Sequence, residues 1–248
     1  MLRQVTATAA VLLAPNPGPM TLEGTNTWVL RVPGHRGCVV VDPGPLHEGH
    51  LQAVAACGPV EAIVLTHGHA DHSAGAARLA ALTGASVRAL DPRHRHGGEG
   101  LQEGETVVGG GLELRVLATP GHTADSLSFV LPDAVLTGDT VLGRGTAVIA
   151  HPDGVLRDYL GSLRRMQALG EATVLPGHGP ELPHAGRAAE HYLHHREQRL
   201  AAVRAALAAG ALSAQAVVEA VYSDVDRVLW PAAELSVLAQ LAYLQTEA

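Results

Sequence analysis

A two-sheet α/β fold covered by helices, followed by a small all-helical region, is what the sequence predicts, on three observations. Between Val11 and Pro180, short β-branched runs alternate with turn residues and with stretches of helical periodicity. After Pro183 the texture changes to a nearly continuous helical pattern. The chain has 248 residues, 47% of them hydrophobic, enough to bury a sizeable core. Residues 1–183 therefore read as one α/β domain and residues 184–248 as a helical region attached to it.

The β-branched and apolar runs predict strands at 28–31, 38–41, 62–65, 86–90, 112–118, 127–131 and 134–136. Helical periodicity predicts helices at 48–56, 74–82 and 156–169, the last closed by Gly170, where a helix end often takes a left-handed residue. Strands separated by helices in this way give two sheets with helices on their outer faces. Beyond Pro183 a helix is predicted over 190–209, a second after the turn ending in Ser213, whose side chain can cap it, and a third from Pro231. Three short helices joined by turns suggest an appendage of helix-turn-helix type.

Composition narrows the function. A formal charge of −7 argues against broad, non-specific attraction to nucleic acid, while leaving room for a local cationic site. The apolar run at 9–13 is too short for a signal peptide and is stopped by Pro15 and Pro17, and no apolar stretch reaches membrane-spanning length. A soluble cytoplasmic protein is expected, of an oligomeric state the sequence does not fix. The two cysteines, Cys38 and Cys57, lie in apolar segments and read as small core residues. The 15 histidines are far more than a core needs.

Four candidate ligands fall in one segment, Leu65-Thr66-His67-Gly68-His69-Ala70-Asp71-His72-Ser73, between a strand and an alanine-rich helix. Imidazole and carboxylate suit a borderline cation such as zinc, and a loop can turn alternate side chains into two neighbouring cavities. Four ligands do not complete two shells. Further ligands follow at later strand ends, in Thr119-Pro120-Gly121-His122, Leu136-Thr137-Gly138-Asp139 and Leu175-Pro176-Gly177-His178. By contrast His94, His96, His184, His191, His194 and His195 lack that context and read as solvated.

The pattern H-x-H-x-D-H, followed by His122, Asp139 and His178, resembles the signature of the metallo-beta-lactamase superfamily. That resemblance implies an αββα sandwich with two metal ions, zinc with iron or manganese as alternatives. It implies His67, His69 and His122 on the first ion, Asp71, His72 and His178 on the second, and Asp139 between them. It also gives Asp71 the catalytic role of orienting the attacking hydroxide or taking its proton. A closer likeness runs through Asn16-Pro17-Gly18-Pro19-Met20-Thr21-Leu22, Gly24-Thr25-Asn26-Thr27, Thr119 to Thr123 and Pro176 to Pro180. These segments resemble the beta-lactamase-like protein 2 subfamily, whose better-known members cleave single-stranded RNA and carry a winged-helix-like carboxy-terminal region. The helices after Pro183 fit that region, although little chain is left for a wing.

Two ions of this kind lower the pKa of a shared water and polarise a carbonyl or phosphoryl oxygen. With Asp71, Asp139 and one hydroxide the cavity keeps a formal charge of about +1, which suits an anionic substrate. The expected function is metal-dependent phosphodiester hydrolysis on single-stranded RNA or another anionic substrate. The alternatives are a thioester hydrolase resembling glyoxalase II, which shares T-H-x-H-x-D-H, or a lactonase. A true beta-lactamase is disfavoured by Asp139, where zinc beta-lactamases place a cysteine. A binding module with purely structural metal fits poorly, because structural zinc shells are closed and cysteine-rich. Asp42, after Val39-Val40-Val41, is expected to orient a ligand histidine from behind, or else is an ordinary turn aspartate. Asn26 and Arg144 are candidates for contacting substrate, with a turn tie and a solvated loop as their plainer roles.

Overall fold

A computed structural model describes residues 1–247. Six strands form the first sheet in the order β1 (Arg3–Gln4), β2 (Ala9–Leu13), β3 (Asn26–Leu30), β4 (Cys38–Val41), β5 (Val60–Val64), β6 (Val87–Arg88). Five form the second, in the order β11 (Thr173–Pro176), β10 (Ala134–Gly138), β9 (Leu127–Val130), β8 (Leu112–Ala118), β7 (Thr106–Gly109). β4, β5 and β6 run parallel, as do β10 and β11, and the other pairs are antiparallel.

The period of two along each strand builds the layers. In β4, Val39 and Val41 point into the space between the sheets, where they meet Trp28, Leu114, Phe129 and Leu136. Cys38 and Val40 point the other way, into a second core with Leu51 and Val54 of α1 (Glu48–Ala55) and Leu79 of α3 (Ala76–Thr83). Both faces of β4 are buried, which is why it is apolar throughout. The second sheet repeats the scheme. Val135 and Val174 face outward onto Tyr159 and Leu163 of α4 (Leu156–Gln167) and Ala189 and Tyr192 of α5 (Ala185–Ala208). Helix, sheet, sheet and helix are thus stacked as predicted.

Three strands escaped the pattern reading, and a fourth, β11, was expected only as the strand end before His178. β1 is two residues long, β2 lies in the run at 9–13, and β7 pairs with β8 through a tight turn, while the strand expected at 86–90 shortens to the two residues of β6. The helix expected at 74–82 begins instead as α2 (Ala70–Ser73), which carries two candidate ligands, and resumes as α3. The break falls near Gly75, where a Cβ would meet Leu51 at 2.7 Å and the Gly44 carbonyl oxygen at 3.0 Å. α5 starts earlier than expected, directly after the sandwich, and α6 (Ala214–Val221) is capped by Ser213, whose side chain accepts from the Ala216 N–H. α7 (Trp230–Glu247) packs back on α6 around Val203, Val217, Tyr222 and Val237. No strand follows β11 among the described residues, so the helical end carries no wing there. No described helix is long and apolar enough to cross a membrane.

Candidate metal centre

Four strand ends meet at one edge of the sandwich. β5 leads into His67, His69, Asp71 and His72; β8 into His122; β10 into Asp139; β11 into His178. Because β4 and β5 are parallel, β10 and β11 are parallel, and β8 reaches β10 through two antiparallel steps, each pair or trio delivers its carboxyl ends to the same side. All seven predicted ligands converge there, and they form three overlapping triads with donor atoms within 4.8 Å of one another: His67-His69-His122, His67-His72-Asp139 and Asp71-His72-His178.

The hydrogen bonds behind the rings fix which nitrogen faces inward. His122 Nδ1 donates to the Val148 carbonyl at 2.6 Å, and His178 Nδ1 to the Gly24 carbonyl at 3.1 Å. Asp42 accepts from the Thr66 amide at 2.8 Å, from the Thr66 hydroxyl at 2.6 Å and from His72 Nδ1 at 2.9 Å. Since the Thr66 hydroxyl gives its proton to Asp42, it accepts one from His67 Nδ1 at 3.0 Å. Each of these four rings therefore turns its Nε2 toward the centre, free to act as a ligand atom once deprotonated.

Those nitrogens face one another. His67 Nε2 and His122 Nε2 approach His69 Nδ1 at 3.1 and 3.0 Å, and His72 Nε2 approaches His178 Nε2 at 3.2 Å. Asp139 Oδ1 is buried without a hydrogen-bond partner, although His72 and His178 lie 3.4 and 3.5 Å away. Imidazole nitrogens and carboxylates crowded this closely can be satisfied only by protons or cations held between them, so the donor set fits divalent metal.

The electrostatics agree. Burial lowers the His67 imidazole far below its ordinary value, with the neighbouring rings adding to the effect, and lowers His69 in the same way. Burial also disfavours charge on His72 and His178, but Asp139 with Asp42 or Asp71 outweighs it, raising His72 strongly and His178 to about 9. Asp139 resists the upward pull of burial and is held well below the carboxylate range by His72 and His178; Asp71 resists the same pull and is lowered mainly by its bond to His178. The carboxylates remain ionised and attract positive charge.

Close approach explains two glycines beside the ligands. A Cβ on Gly177 would lie 2.6 Å from Asp139 Oδ1 and 2.7 Å from His72 Cε1. Gly121, at φ +136°, lies against Tyr159, whose Cα a Cβ would meet at 2.3 Å.

The remaining predicted residues divide. Asp42 stands behind His72, in a left-handed conformation (φ 51°). Asn26, expected at the substrate, is instead buried with its amide donating to the Pro176 and Gly179 carbonyls at 3.0 and 2.8 Å. That ties β3 to the His178 turn, the plainer of the two roles expected for it, and commits both amide N–H groups. Arg144 borders a cavity beside the centre, and its guanidinium is paired with Glu23 at 2.6 Å. That cavity, of about 290 Å³, has His122 and Asp139 in its wall, and α5, the segment after α6 and α7 help to line it. His195, read as solvated, also lines it, and His94 lies over Gly68 on the ligand loop. Thr66, which relays Asp42 to His67, was not singled out by sequence; its place between a strand and His67 was the available signal.

The profile of the metallo-beta-lactamase superfamily matches residues 20–178. The chain belongs to that superfamily. It is accordingly a hydrolase with a His/Asp cluster suited to divalent metal. The profile of the beta-lactamase-associated winged-helix domain matches residues 213–248. The Beta-lactamase-like protein 2 homolog of Caenorhabditis elegans is 32% identical, over 76% of this chain and 67% of that relative. The Drosophila melanogaster homolog is 29% identical over 98% and 90%. An atrochrysone carboxyl ACP thioesterase of Aspergillus fumigatus is 30% identical over 76% and 61%. Among solved structures, a metallo-beta-lactamase family protein of Thermus thermophilus shares the fold with a TM-score of 0.82, at 24% identity over 97% of this chain and 94% of that one. A protein solved in a di-iron-bound form is 27% identical over 70% and 94%, with a TM-score of 0.58.

Proposed function

We propose that this chain hydrolyses an ester or thioester with a small, largely apolar acyl group, at two divalent metal ions. The observation that carries this reading is the cavity. It shares His122 and Asp139 with the metal centre and is otherwise walled largely by apolar side chains such as Met20, Leu22, Leu142, Val148, Val225 and Leu229. An acyl chain gains from entering such a space, whereas a ribose-phosphate chain does not. The thioesterase among the curated relatives is consistent with this chemistry.

His67, His69 and His122 would hold one ion, Asp71, His72 and His178 the other, with Asp139 between them; zinc is proposed, with iron or manganese as alternatives. Bound there, two divalent cations lower the pKa of water and polarise the acyl oxygen. The protein's own groups do the rest. Asp71, the more open carboxylate, with Oδ2 3.1 Å from His178 Nε2, accepts the proton that water gives up. The water oxygen bonds to the acyl carbon, the bond to the leaving sulfur or oxygen breaks with its electron pair, and that atom takes up the proton.

Hydrolysis of single-stranded RNA is the second reading, favoured by the match of 213–248 to a winged-helix profile. Against it, residues 213–248 carry five carboxylates (Glu219, Asp224, Asp226, Glu234 and Glu247) and one arginine, Arg227, the opposite of a phosphate-binding surface. Purified protein with measured metal content is to be assayed with short-chain acyl thioesters and labelled single-stranded RNA, with Asp71→Ala and His178→Ala as controls. Turnover of thioester, lost in both variants, is the expected result. RNA cleavage without acyl turnover would overturn it.

A further inference from the structure

Three arginines border the substrate cavity, and two of them are neutralised. Arg144 pairs with Glu23 at 2.6 Å, and Arg199 lies 3.5 Å from Asp224. The third, Arg196, is 2% exposed and has no ion-pair partner among the described residues. One of its terminal nitrogens donates to the Ala147 carbonyl, its guanidinium lies 5.0 Å from the centre of the Tyr159 ring, and its Nε is buried without a hydrogen-bond partner. It also interrupts the apolar stripe of α5, at the position between Tyr192 and Leu200 that would otherwise be hydrophobic. A buried cation with neither counter-ion nor full complement of acceptors is unfavourable, and ligands commonly supply what such a group lacks.

Arg196 and the metal centre are held on one dipeptide. Arg196 donates to the carbonyl of Ala147, and His122 to that of Val148. Adjacent Cα atoms are about 3.8 Å apart, so the guanidinium and the inner face of His122 are separated by a distance on the order of 10 Å. Both line the same cavity.

We propose that Arg196 recognises a carboxylate on the substrate's acyl group, so that the preferred substrate is the monothioester or monoester of a short dicarboxylic acid. This rests on the acyl-hydrolase reading above. The carboxylate pairs with the guanidinium where Arg196 lines the cavity, the methylene chain crosses the apolar wall, and the reacting carbonyl reaches the ligands at the other end. About four carbon atoms would span that gap. Arg196 is a specificity-determining residue in this scheme.

The test uses the full-length, metal-loaded protein and three thioesters: that of glutaric acid, its uncharged terminal amide, and a pentanoyl thioester whose thiol carries a phosphate. The glutaryl compound is expected to exceed the amide by about tenfold or more in kcat/KM. Arg196→Gln is expected to abolish that ratio, and Arg196→Lys to keep most of it. Equal wild-type turnover of the two acyl compounds overturns the proposal and leaves the acyl-hydrolase reading intact. A preference for the phosphate-bearing thiol alone overturns it too, by placing the anion on the leaving group. Calorimetric titration with glutarate and glutaramide gives a readout independent of turnover. Wild type is expected to bind glutarate at least about tenfold more tightly than Arg196→Gln does, and equal binding would reject the site. Failure of every thioester to react, with Arg196-dependent glutarate binding retained, rejects the hydrolase reading and keeps the anion site. If Arg196→Gln does not fold, the wild-type ratios and Arg196→Lys decide the matter.

Discussion

Replacing Asp42 by Asn removes one charge and leaves the volume unchanged. Asn accepts the left-handed backbone at φ 51° without strain, so the effect reports on the side chain. The carboxylate accepts three hydrogen bonds, from the Thr66 amide, the Thr66 hydroxyl and His72 Nδ1. A carboxamide keeps its oxygen for the Thr66 amide but turns an NH₂ group toward the other two, and the N–H of His72 then faces a donor. The His72 ring is driven to carry its proton on Nε2, the atom that points at Asp139, Asp71 and His178. Loss of one charge-assisted bond of this kind costs roughly 1.5–3 kcal/mol. That range corresponds to a fall in metal affinity of about 10- to 100-fold, the range seen when groups behind ligand histidines are removed. Competition against a chromophoric chelator measures the affinity, and urea denaturation of the metal-free protein measures the fold, which should weaken by roughly 2 kcal/mol. Metal affinity within about twofold of wild type would refute the claim that Asp42 sets the His72 tautomer.

Three further outcomes follow from the same structure. His50 is 5% exposed beneath Thr27, and burial lowers its imidazole to about 4. Because the unfolded chain binds the proton first, stability is full above pH 6.5, falls as the pH drops toward about 4 and levels off below; denaturation of His50→Gln across this window should show a loss smaller by up to about 3 kcal/mol. Gly121→Ala forces a Cβ to within 2.3 Å of Tyr159 Cα and should destabilise the protein by more than about 3 kcal/mol in thermal denaturation; a near-neutral result would mean that the turn before His122 can relax. Ser213→Ala removes the acceptor for the Ala216 N–H at the start of α6 and should cost about 1 kcal/mol, seen as faster amide exchange in α6 with little change in the sandwich.

Much of the sandwich was legible because its signals are local. Val39-Val40-Val41 and Leu112 to Ala118 declare strands by β-branching and alternation, and their ends carry the ligands, so the seven metal-binding candidates could be read as residues at turns. The short edge strand β1 gave no such signal, since two residues have no period. Asp42 was read by position after β4, but its task depends on a hydrogen bond to His72, thirty residues onward, that no spacing encodes.

The residues themselves determined the family, the donor chemistry and the general class of reaction, because ligand identity and turn context are properties of short segments. Tertiary structure alone decided what surrounds the reacting atoms. It assigned Asn26 to the backbone of the His178 turn, paired Arg144 and Arg199 while leaving Arg196 without a carboxylate, and folded α5 to α7 over an apolar cavity. Whether a side chain meets a partner or an empty wall depends on which distant segments pack against it, and that is settled by burial of the whole chain rather than by any one stretch of it.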